Sequence, residues 1–505
     1  MLRFNIIVFV PLILLFFSCT NSSKKSVSVS EHSSSLAGYS QSTIDAYSHA
    51  VIAERISATN TAPPTYQHSV YNVLDNNKKT AWQTPQKSGL NEGIMIHFPK
   101  KKVFSFIRIS QKKAQKHATI KACDIFINGK KQENKAVPNT LFPIKSAVQS
   151  LFIRITDCAE TIHINTPYKG DDSEMIYKSY LPDSLNIAVS EIEFFDADTN
   201  KITVLPPLRK KCTVRASSTL TPKRAYSIEN IIDNKTDFCW AEGNKNTSGT
   251  DEHITFTFTD TVHINNIALW NGYQRSQSHF KNNARAARIS FKEKNGDTYS
   301  FPLEDSPEKQ VFSLPKILHG TTFTLTIDSV FPGKKYTDLA LSEILFYYQN
   351  IPIKPINSSV DSLHTHSLSI PNKQLQSVLN RNIHYGYAIE QNSSHYTTKS
   401  FLLRSNYSFV SYNENKLIQT GWATNFKKAT QIAEGGWEYI SGNDSQATIR
   451  IFGKMYTSSY KKNVYTGIAE QDNTNIFQDY ITITDSTIEG KTYIEGEIEL
   501  PWHTN

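Results

Sequence analysis

Short runs in which apolar and polar residues alternate recur along most of this chain. The alternating apolar positions include Ile94, Ile96 and Phe98; Cys123, Ile125 and Ile127; Ile254, Phe256 and Phe258; Ile289 and Phe291; and Phe323, Leu325 and Ile327. A period of two places every second side chain on the same face of a β-strand, so each run predicts a strand with one buried face. Turn residues separate the runs and helical patterns are few, which predicts an all-β chain built from antiparallel sandwiches.

An internal repeat divides the first 350 residues into two similar parts. The segment Val73–Trp82 matches Ile231–Trp240, and in each copy an Asp precedes the Trp by seven positions. Each copy then ends on Ser-Glu-Ile, at 190–192 and at 342–344. Recurrence of two anchors at nearly equal spacing indicates that one structural module occurs twice in tandem.

The repeat and the breaker residues together predict the domain boundaries. We expect one sandwich over residues 46–205 and a second over 208–350. Residues 351–372 contain three prolines with scattered Ser and His, which predicts a linker. Further alternating runs beyond it predict a smaller all-β domain over 373–505.

The beginning of the chain has the pattern of an export signal. Arg3 is followed by an apolar run from Phe4 to Phe17 and then by Ser18-Cys19. This run is too short for a good membrane span. It resembles a bacterial lipoprotein signal, which implies a signal peptide over 1–18 and a lipid on Cys19; the alternative is an ordinary secretory signal with an incidental cysteine. The polar residues 19–45 predict a disordered tether, so we expect a protein anchored in the bacterial cell envelope, at the outer membrane or a periplasm-facing leaflet.

Composition and cysteine number narrow the class of protein. The 505 residues carry a formal net charge of +8 that is spread along the chain, which does not indicate nucleic-acid binding. Besides Cys19 there are four cysteines, and export favours disulfides. We predict the bonds Cys123–Cys158 and Cys212–Cys239, each within one module, with buried free thiols as the alternative.

The anchors of the repeat resemble the discoidin, or coagulation-factor C-type, family of galactose-binding-like domains. The second copy is similar to the discoidin-like domain of bacterial NAD-glycohydrolase toxins and lipoproteins, through the stretches 270–273, 283–285 and 331–338. The resemblance implies two tandem jelly-roll β-sandwiches. The family includes many bacterial carbohydrate-binding modules, so it also implies ligand binding.

The same resemblance implies a structural calcium ion in each module. In the first copy the matching oxygen ligands are Asp75, Thr80 and Glu191, and hard oxygen donors of this kind suit calcium. The second copy has Phe238 in place of the threonine, so its set would be Asp233, Asp237 and Glu343. The alternative in the first copy is that Asp75 caps a turn and Glu191 binds backbone amides.

Four polar residues of the second copy form a candidate ligand site. They are Asn271, Tyr273, Asn283 and Arg285, which would supply an aromatic face with amide and guanidinium groups for a glycan. Turn formation and an ion pair are the alternatives. Trp82 and Trp240 are expected in the module cores.

The chain shows no nucleophile elbow, phosphate loop, HExxH helix or zinc-type cysteine spacing. We therefore expect no enzyme, but a lipoprotein that binds a glycan or another envelope component. The alternative partner is a surface protein, which would make the chain an adhesin or an assembly factor. The membrane would be contacted through the lipid alone.

Overall fold

The computed structural model describes residues 39–493 except 113–114, 168–173, 222, 224, 245–247, 358, 391–392, 420–424, 464–466 and 485–487. The expected signal peptide, Cys19 and the tether up to residue 38 lie outside this range. Within it, no helix is both long enough and apolar enough to span a bilayer.

The first copy of the repeat, which we call module 1 (residues 51–205), is a β-sandwich, as the alternating pattern predicts. Its strands are β1 (Val51–Ile52), β2 (Arg55–Ala58), β3 (Trp82–Gln83), β4 (Gly93–Lys102), β5 (Phe106–Gln111), β6 (Ile120–Ile127), β7 (Lys130–Lys131), β8 (Leu141–Pro143), β9 (Val148–Cys158), β10 (Ile162–Pro167), β11 (Glu174–Tyr180), β12 (Ala188–Phe195), β13 (Lys201–Ile202) and β14 (Val204–Leu205). One sheet has the order β2-β4-β9-β6-β7, and the other has the order β13-β12-β5-β8 with β3 paired to β12. The inward residues of both sheets form one apolar core.

The second copy, which we call module 2 (residues 208–356), repeats this architecture with longer strands. Its elements are β15 (Leu208–Ala216), β16 (Trp240–Ala241), β17 (His253–Asn271), helix α1 (Gln277–Asn282), β18 (Arg285–Glu293), β19 (Thr298–Pro302), β20 (Gln310–Phe331), β21 (Ala340–Tyr348) and β22 (Ile351–Ile356). The first half of β17 pairs with β15 and its second half pairs with β21. The same strand thus contributes to both layers around a single core.

Equivalent hydrogen bonds confirm that the two modules are copies. The Trp82 indole N–H donates to the carbonyl of Asn60, and the Trp240 indole donates to that of Ser218; each bond is 2.9 Å long and spans 22 positions. Both indoles are fully buried, which confirms their predicted core role. In each module the tryptophan follows a 3-10 helix, Val70–Leu74 or Ile228–Ile232.

The segment predicted as a linker is mostly structured, so that prediction is wrong. Strand β22 pairs antiparallel with β21 and parallel with β15, inside the sheet of module 2. Ile351 and Ile353 are buried in this module, and their burial outweighs the turn signal of the neighbouring prolines. Beyond β22 the chain forms a helix over Ser359–Ser369 and another over Lys373–Val378.

The last residues of the predicted tether, 39–45, are folded. A helix occupies Gln41–Ser48, and the Ser40 hydroxyl accepts a hydrogen bond from the Thr43 amide at its start. The Tyr39 ring is buried and stacks on Tyr348, with ring centroids 6.1 Å apart. Residues 39–45 therefore pack on the folded protein, because the aromatic side chain finds an apolar surface that the polar composition of the segment does not reveal.

The C-terminal part is all-β, as predicted, but its sheet is not confined to residues 373–505. Its strands are β23 (Asn382–Glu390), β24 (Ser393–Leu403), β25 (Ser408–Gln419), β26 (Asn425–Gly442), β27 (Gln446–Asn463), β28 (Gly467–Thr484) and β29 (Ile488–Tyr493). Each pairs antiparallel with the next, and β23 also pairs with β11 of module 1. Module 1 thus supplies the first two strands of the C-terminal sheet, β10 and β11.

The structure contains neither predicted disulfide: Cys123, Cys158, Cys212 and Cys239 are buried free thiols. Cys123 lies opposite Ile155, whereas Cys158 lies opposite Ile120. Cys158 is therefore three residues along β9 from the position opposite Cys123, a distance of about 10 Å along the strand. This is beyond the reach of a disulfide. Cys212 and Cys239 belong to different apolar clusters.

Candidate functional site

Module 1 brings together the three residues of its predicted calcium site. The Asp75 carboxylate accepts hydrogen bonds from the Asn77 amide at 2.9 Å and from the Thr80 hydroxyl at 2.7 Å. Glu191 is 3% exposed, and its Oε1 has no hydrogen-bond partner among the described residues. Burial, followed by the negative charge of Asp75, raises the pKa of Glu191 to about 7. The charge of Lys201 opposes this shift only in part, and a hard cation would supply further positive charge to these oxygen atoms.

Side chains alone would not complete such a site. The described residues contain no cluster of three His, Cys, Asp or Glu side chains that could hold a metal ion. The Thr80 hydroxyl, backbone carbonyls and water would have to provide the remaining ligands, as is common for calcium. The residues of module 1 fit this ion on those terms.

Module 2 does not fit the calcium prediction. Glu343, equivalent to Glu191, forms an ion pair with Lys354 at 2.8 Å, and both side chains are at most 1% exposed. Burial raises the pKa of Glu343 to about 8 and lowers that of Lys354, while their mutual attraction opposes both shifts. Asp237 forms an ion pair with Lys454 of β27 at 2.5 Å instead. Of the predicted set, Asp233 keeps only the turn-capping role, since its carboxylate accepts a hydrogen bond from the Lys235 amide.

The predicted glycan site around Tyr273 is buried, so that prediction is wrong. Asn271 is fully buried and bonds both backbone groups of Ala286. The Arg285 guanidinium binds both carboxylate oxygens of Asp305, at 2.6 and 2.8 Å. Tyr273 is 5% exposed, and the Asn283 side chain donates to the His279 carbonyl. The polar groups that suggested a ligand are used to satisfy one another and the backbone.

A cavity of about 410 Å³ lies where module 1, module 2 and the C-terminal sheet meet. We call it the junction cleft. Module 1 lines it with the outer face of its β2-β4-β9-β6 sheet. Module 2 contributes its loop 234–238, and the C-terminal sheet contributes strands β25 and β26. The principal lining side chains are Arg55, His97, Phe126, Phe152, Arg154, Phe238, Phe409 and Glu434.

Aromatic rings and a guanidinium form the floor of the junction cleft. Phe126 and Phe152 lie side by side on β6 and β9, with ring centroids 5.6 Å apart. The Arg154 guanidinium lies over the Phe126 ring at 5.3 Å and is held by Asp124 at 2.5 Å. These residues alternate with the core positions of the same strands, so they point away from the core of module 1.

One carboxylate faces into the cleft from the opposite wall. Glu434 on β26 keeps more than a third of its surface accessible, yet burial is the main cause that raises its carboxyl pKa, followed by Asp237. The exposure and the raised pKa of Glu434 are compatible because its side chain lines the junction cleft, a space that is open to solvent but surrounded by protein. The Lys235, Arg404 and Lys454 charges oppose the shift.

Buried contacts between the domains hold the walls of the cleft together. Arg404 of the C-terminal part binds Glu92 of module 1 at 2.7 Å, and both side chains are at most 4% exposed. The Asn234 amide of module 2 donates to the Ile56 carbonyl at 2.6 Å and to the Tyr71 hydroxyl at 2.8 Å. The cleft is therefore a property of the assembled chain, and no single module contains it.

Sequence reasoning missed the junction cleft, although one signal was present. Phe126 and Phe152 are large apolar residues at positions where the alternation of their strands predicts exposure. Two such residues on neighbouring strands indicate a covered or ligand-binding outer face.

Comparison with known proteins gives one family match, within module 2. No curated protein matches the chain. Residues 209–347 match the family described as the NAD glycohydrolase translocation F5/8 type C domain.

Several solved structures are similar to parts of the chain. A family 32 carbohydrate-binding module from C. perfringens NanJ, in complex with galactose, is 12% identical; the match covers 27% of this chain and 93% of that one, with a TM-score of 0.23. The CBM32-1 and CBM32-2 domains of Clostridium perfringens ZmpB, in complex with GalNAc, are 12% identical over 58% of this chain and 90% of that one, with a TM-score of 0.22.

A larger protein matches with a similar TM-score. The arabinofuranosyltransferase AftD from Mycobacteria is 8% identical over 88% of this chain, with a TM-score of 0.24, and this chain spans 41% of its length. The family match, the sandwich architecture and the repeated hydrogen bonds agree. Residues 209–347 thus match the NAD glycohydrolase translocation F5/8 type C domain and have a discoidin-like sandwich architecture, and module 1 is a second copy of that architecture.

Proposed function

We propose that this protein is a non-catalytic binding protein that holds a glycan in the junction cleft. The observation that carries the proposal is the outer face of module 1, where aromatic rings and a stacked guanidinium lie opposite an accessible carboxylate. Aromatic faces suit the apolar faces of sugar rings, and placed charged groups suit their hydroxyls. The volume of the cleft lies within the usual range for ligand pockets.

Binding to a glycan array tests this proposal with the full chain. Phe152→Ala removes part of the aromatic floor, and Glu434→Gln removes the charge but keeps the shape of the side chain. We expect each variant to lose roughly tenfold in affinity, which corresponds to about 1.4 kcal/mol. Tyr336→Ala, an exposed aromatic residue of module 2 outside the cleft, serves as the matched control and should bind normally.

Two results would contradict glycan binding in the cleft. One is full affinity in both cleft variants. The other is binding to proteins alone, unaffected by competing sugars, which would support the adhesin or assembly factor instead.

We also propose that Asp75, Thr80 and Glu191 bind a calcium ion that stabilises module 1. The unpartnered Glu191 oxygen supports it. Calcium should raise the melting temperature of the full chain, and Glu191→Gln should abolish most of this rise. An equal rise in both proteins would exclude this site.

We also propose that a lipid on Cys19 anchors the protein in the cell envelope. The support is the resemblance of residues 1–19 to a lipoprotein signal. Cys19→Ala should move the protein from the membrane fraction to the soluble fraction of exporting cells and abolish labelling with a palmitate analogue. Unchanged fractionation would show that another feature holds the protein there.

A further inference from the structure

The two modules place equivalent carboxylates at equivalent backbone positions. Asp75 and Asp233 each end a 3-10 helix, with φ and ψ of −86° and 3° in module 1 and −91° and −3° in module 2. Trp82 pairs with Val189, two residues before Glu191, and Trp240 pairs with Leu341, two residues before Glu343. Each module therefore builds the same arrangement of an Asp and a Glu.

The modules differ in the charge next to these carboxylates. Ile202 of β13 is paired with Phe194, just as Ile353 of β22 is paired with Phe346. The next residue is Thr203 in module 1 and Lys354 in module 2. Lys354 binds Glu343; the charge of Lys235 acts on Asp233 most strongly, and that of Lys354 adds to it. In module 1 the charge of the nearby Lys201 also acts on Glu191, but its ion pair is with Glu193, at 3.3 Å.

The loops that follow Asp75 and Asp233 also differ in their exposure to solvent. In module 1, Asn76 to Lys79 are exposed, so an ion from solution can reach the loop. In module 2 the equivalent loop is the contact with module 1: Asn234 binds Ile56 and Tyr71, and Arg55 donates to the Asn234 carbonyl at 3.3 Å. A metal ion and a lysine ammonium would both have to shed water at that contact, but the ammonium is attached to the chain and its desolvation is offset by the ion pair with Glu343.

We propose that Lys354 is the resident cation of module 2: its ammonium occupies, beside Asp233 and Glu343, the place that the equivalent carboxylates of module 1 leave for a metal ion. Module 2 and its contact with module 1 are then independent of metal, and the chain takes up one calcium ion, not two. The stoichiometry rests on the proposed calcium site of module 1, whereas the role of Lys354 does not.

Calorimetric titration of the metal-free full chain with calcium measures the stoichiometry. We expect one equivalent for the unmodified protein, one for Glu343→Gln and none for Glu191→Gln. Two equivalents, or loss of an equivalent in Glu343→Gln, would overturn the inference. Absence of binding in the unmodified protein would refute the calcium site of module 1 and leave the role of Lys354 to the next experiment.

A gain of calcium response tests Lys354 itself, in a Glu191→Gln background that silences module 1. Lys354→Met leaves the buried Glu343 without its ion-pair partner, so the melting temperature should fall by roughly 5–10 °C. Added calcium should restore part of this loss, and a further Glu343→Gln exchange should remove the calcium response. Lys316→Met, which removes an exposed lysine, is the matched control and should change neither property.

The same experiment stays decisive if the Lys354→Met chain does not fold. Refolding in calcium, compared with refolding in a chelator, then replaces the melting curve. Recovery of folded protein in calcium alone supports the inference. Equal recovery under both conditions, or a Lys354→Met chain whose melting temperature ignores calcium, overturns it.

Discussion

His97 lies in the junction cleft on the outer face of β4, where its imidazole is held neutral. Burial and the nearby Arg55 charge lower the pKa of His97 to about 3, although Asp237 opposes the shift. In the unfolded chain His97 is protonated below a pH of about 6.5, whereas in the folded chain it is protonated only below about 3. The free energy of unfolding should therefore fall as the pH drops through this window, by up to about 1.4 kcal/mol for each pH unit.

Chemical denaturation at pH 7 and at pH 5 measures this effect. His97→Gln, which cannot titrate, should lose less stability between the two pH values than the unmodified protein does. His49→Gln replaces an exposed histidine and should leave the pH dependence unchanged. An identical pH dependence in the His97 variant would mean that other groups cause the acid sensitivity.

The contact between β26 and β27 depends on the absence of side chains. Gly435 is paired with Gly453, and a Cβ atom added to Gly435 would clash with the Phe452 carbonyl oxygen and lie 2.6 Å from the Gly453 Cα. Backbone atoms in a sheet cannot move aside without breaking pairs. Gly435→Ala should therefore lower the free energy of unfolding by about 1–3 kcal/mol and distort the cleft wall that carries Glu434.

Thermal unfolding and glycan affinity, measured on the same samples, check both consequences. Gly296→Ala is the control, since its nearest neighbour is a flexible Glu293 side-chain atom at 3.3 Å. Equal stability of the two variants would show that the strands can separate at little cost.

At the scale of the whole molecule, β22 joins the C-terminal part to module 2. A chain that ends at Asn350 lacks Ile353 from the core of module 2 and leaves Glu343 buried without Lys354. A chain that ends at Asn357 retains both. We expect the shorter chain to melt several degrees below the longer one, because it combines a core cavity with an unpaired buried charge.

Melting curves of the two truncated chains test this expectation. Both lack the Arg404–Glu92 ion pair and strands β23 to β29 of the C-terminal sheet, so these losses cancel in the comparison. Equal melting temperatures would mean that β22 contributes nothing to module 2. Both truncations remove one wall of the junction cleft, so both should lose the glycan.

Much of the architecture could be predicted from local pattern. Alternation at Ile94, Ile96 and Phe98 identifies a strand because it requires only a buried face, and the spacing of Asp75 and Trp82 identifies the repeat because both residues act within one module. The grouping of Asp75, Thr80 and Glu191 was implied by the resemblance to the discoidin family. These features depend on contacts within a single sandwich.

The failed predictions concern residues whose partners are remote in the chain. Asn271 and Arg285 have the composition of a ligand site, but the structure uses them internally. Asp237 has the spacing of a metal ligand, but Lys454 lies opposite it. The sequence by itself determined the sandwiches, the repeat and the paired carboxylates. Only the tertiary structure decided that Lys354 neutralises one pair and that three domains enclose a cleft, because both depend on the packing of surfaces that no local period encodes.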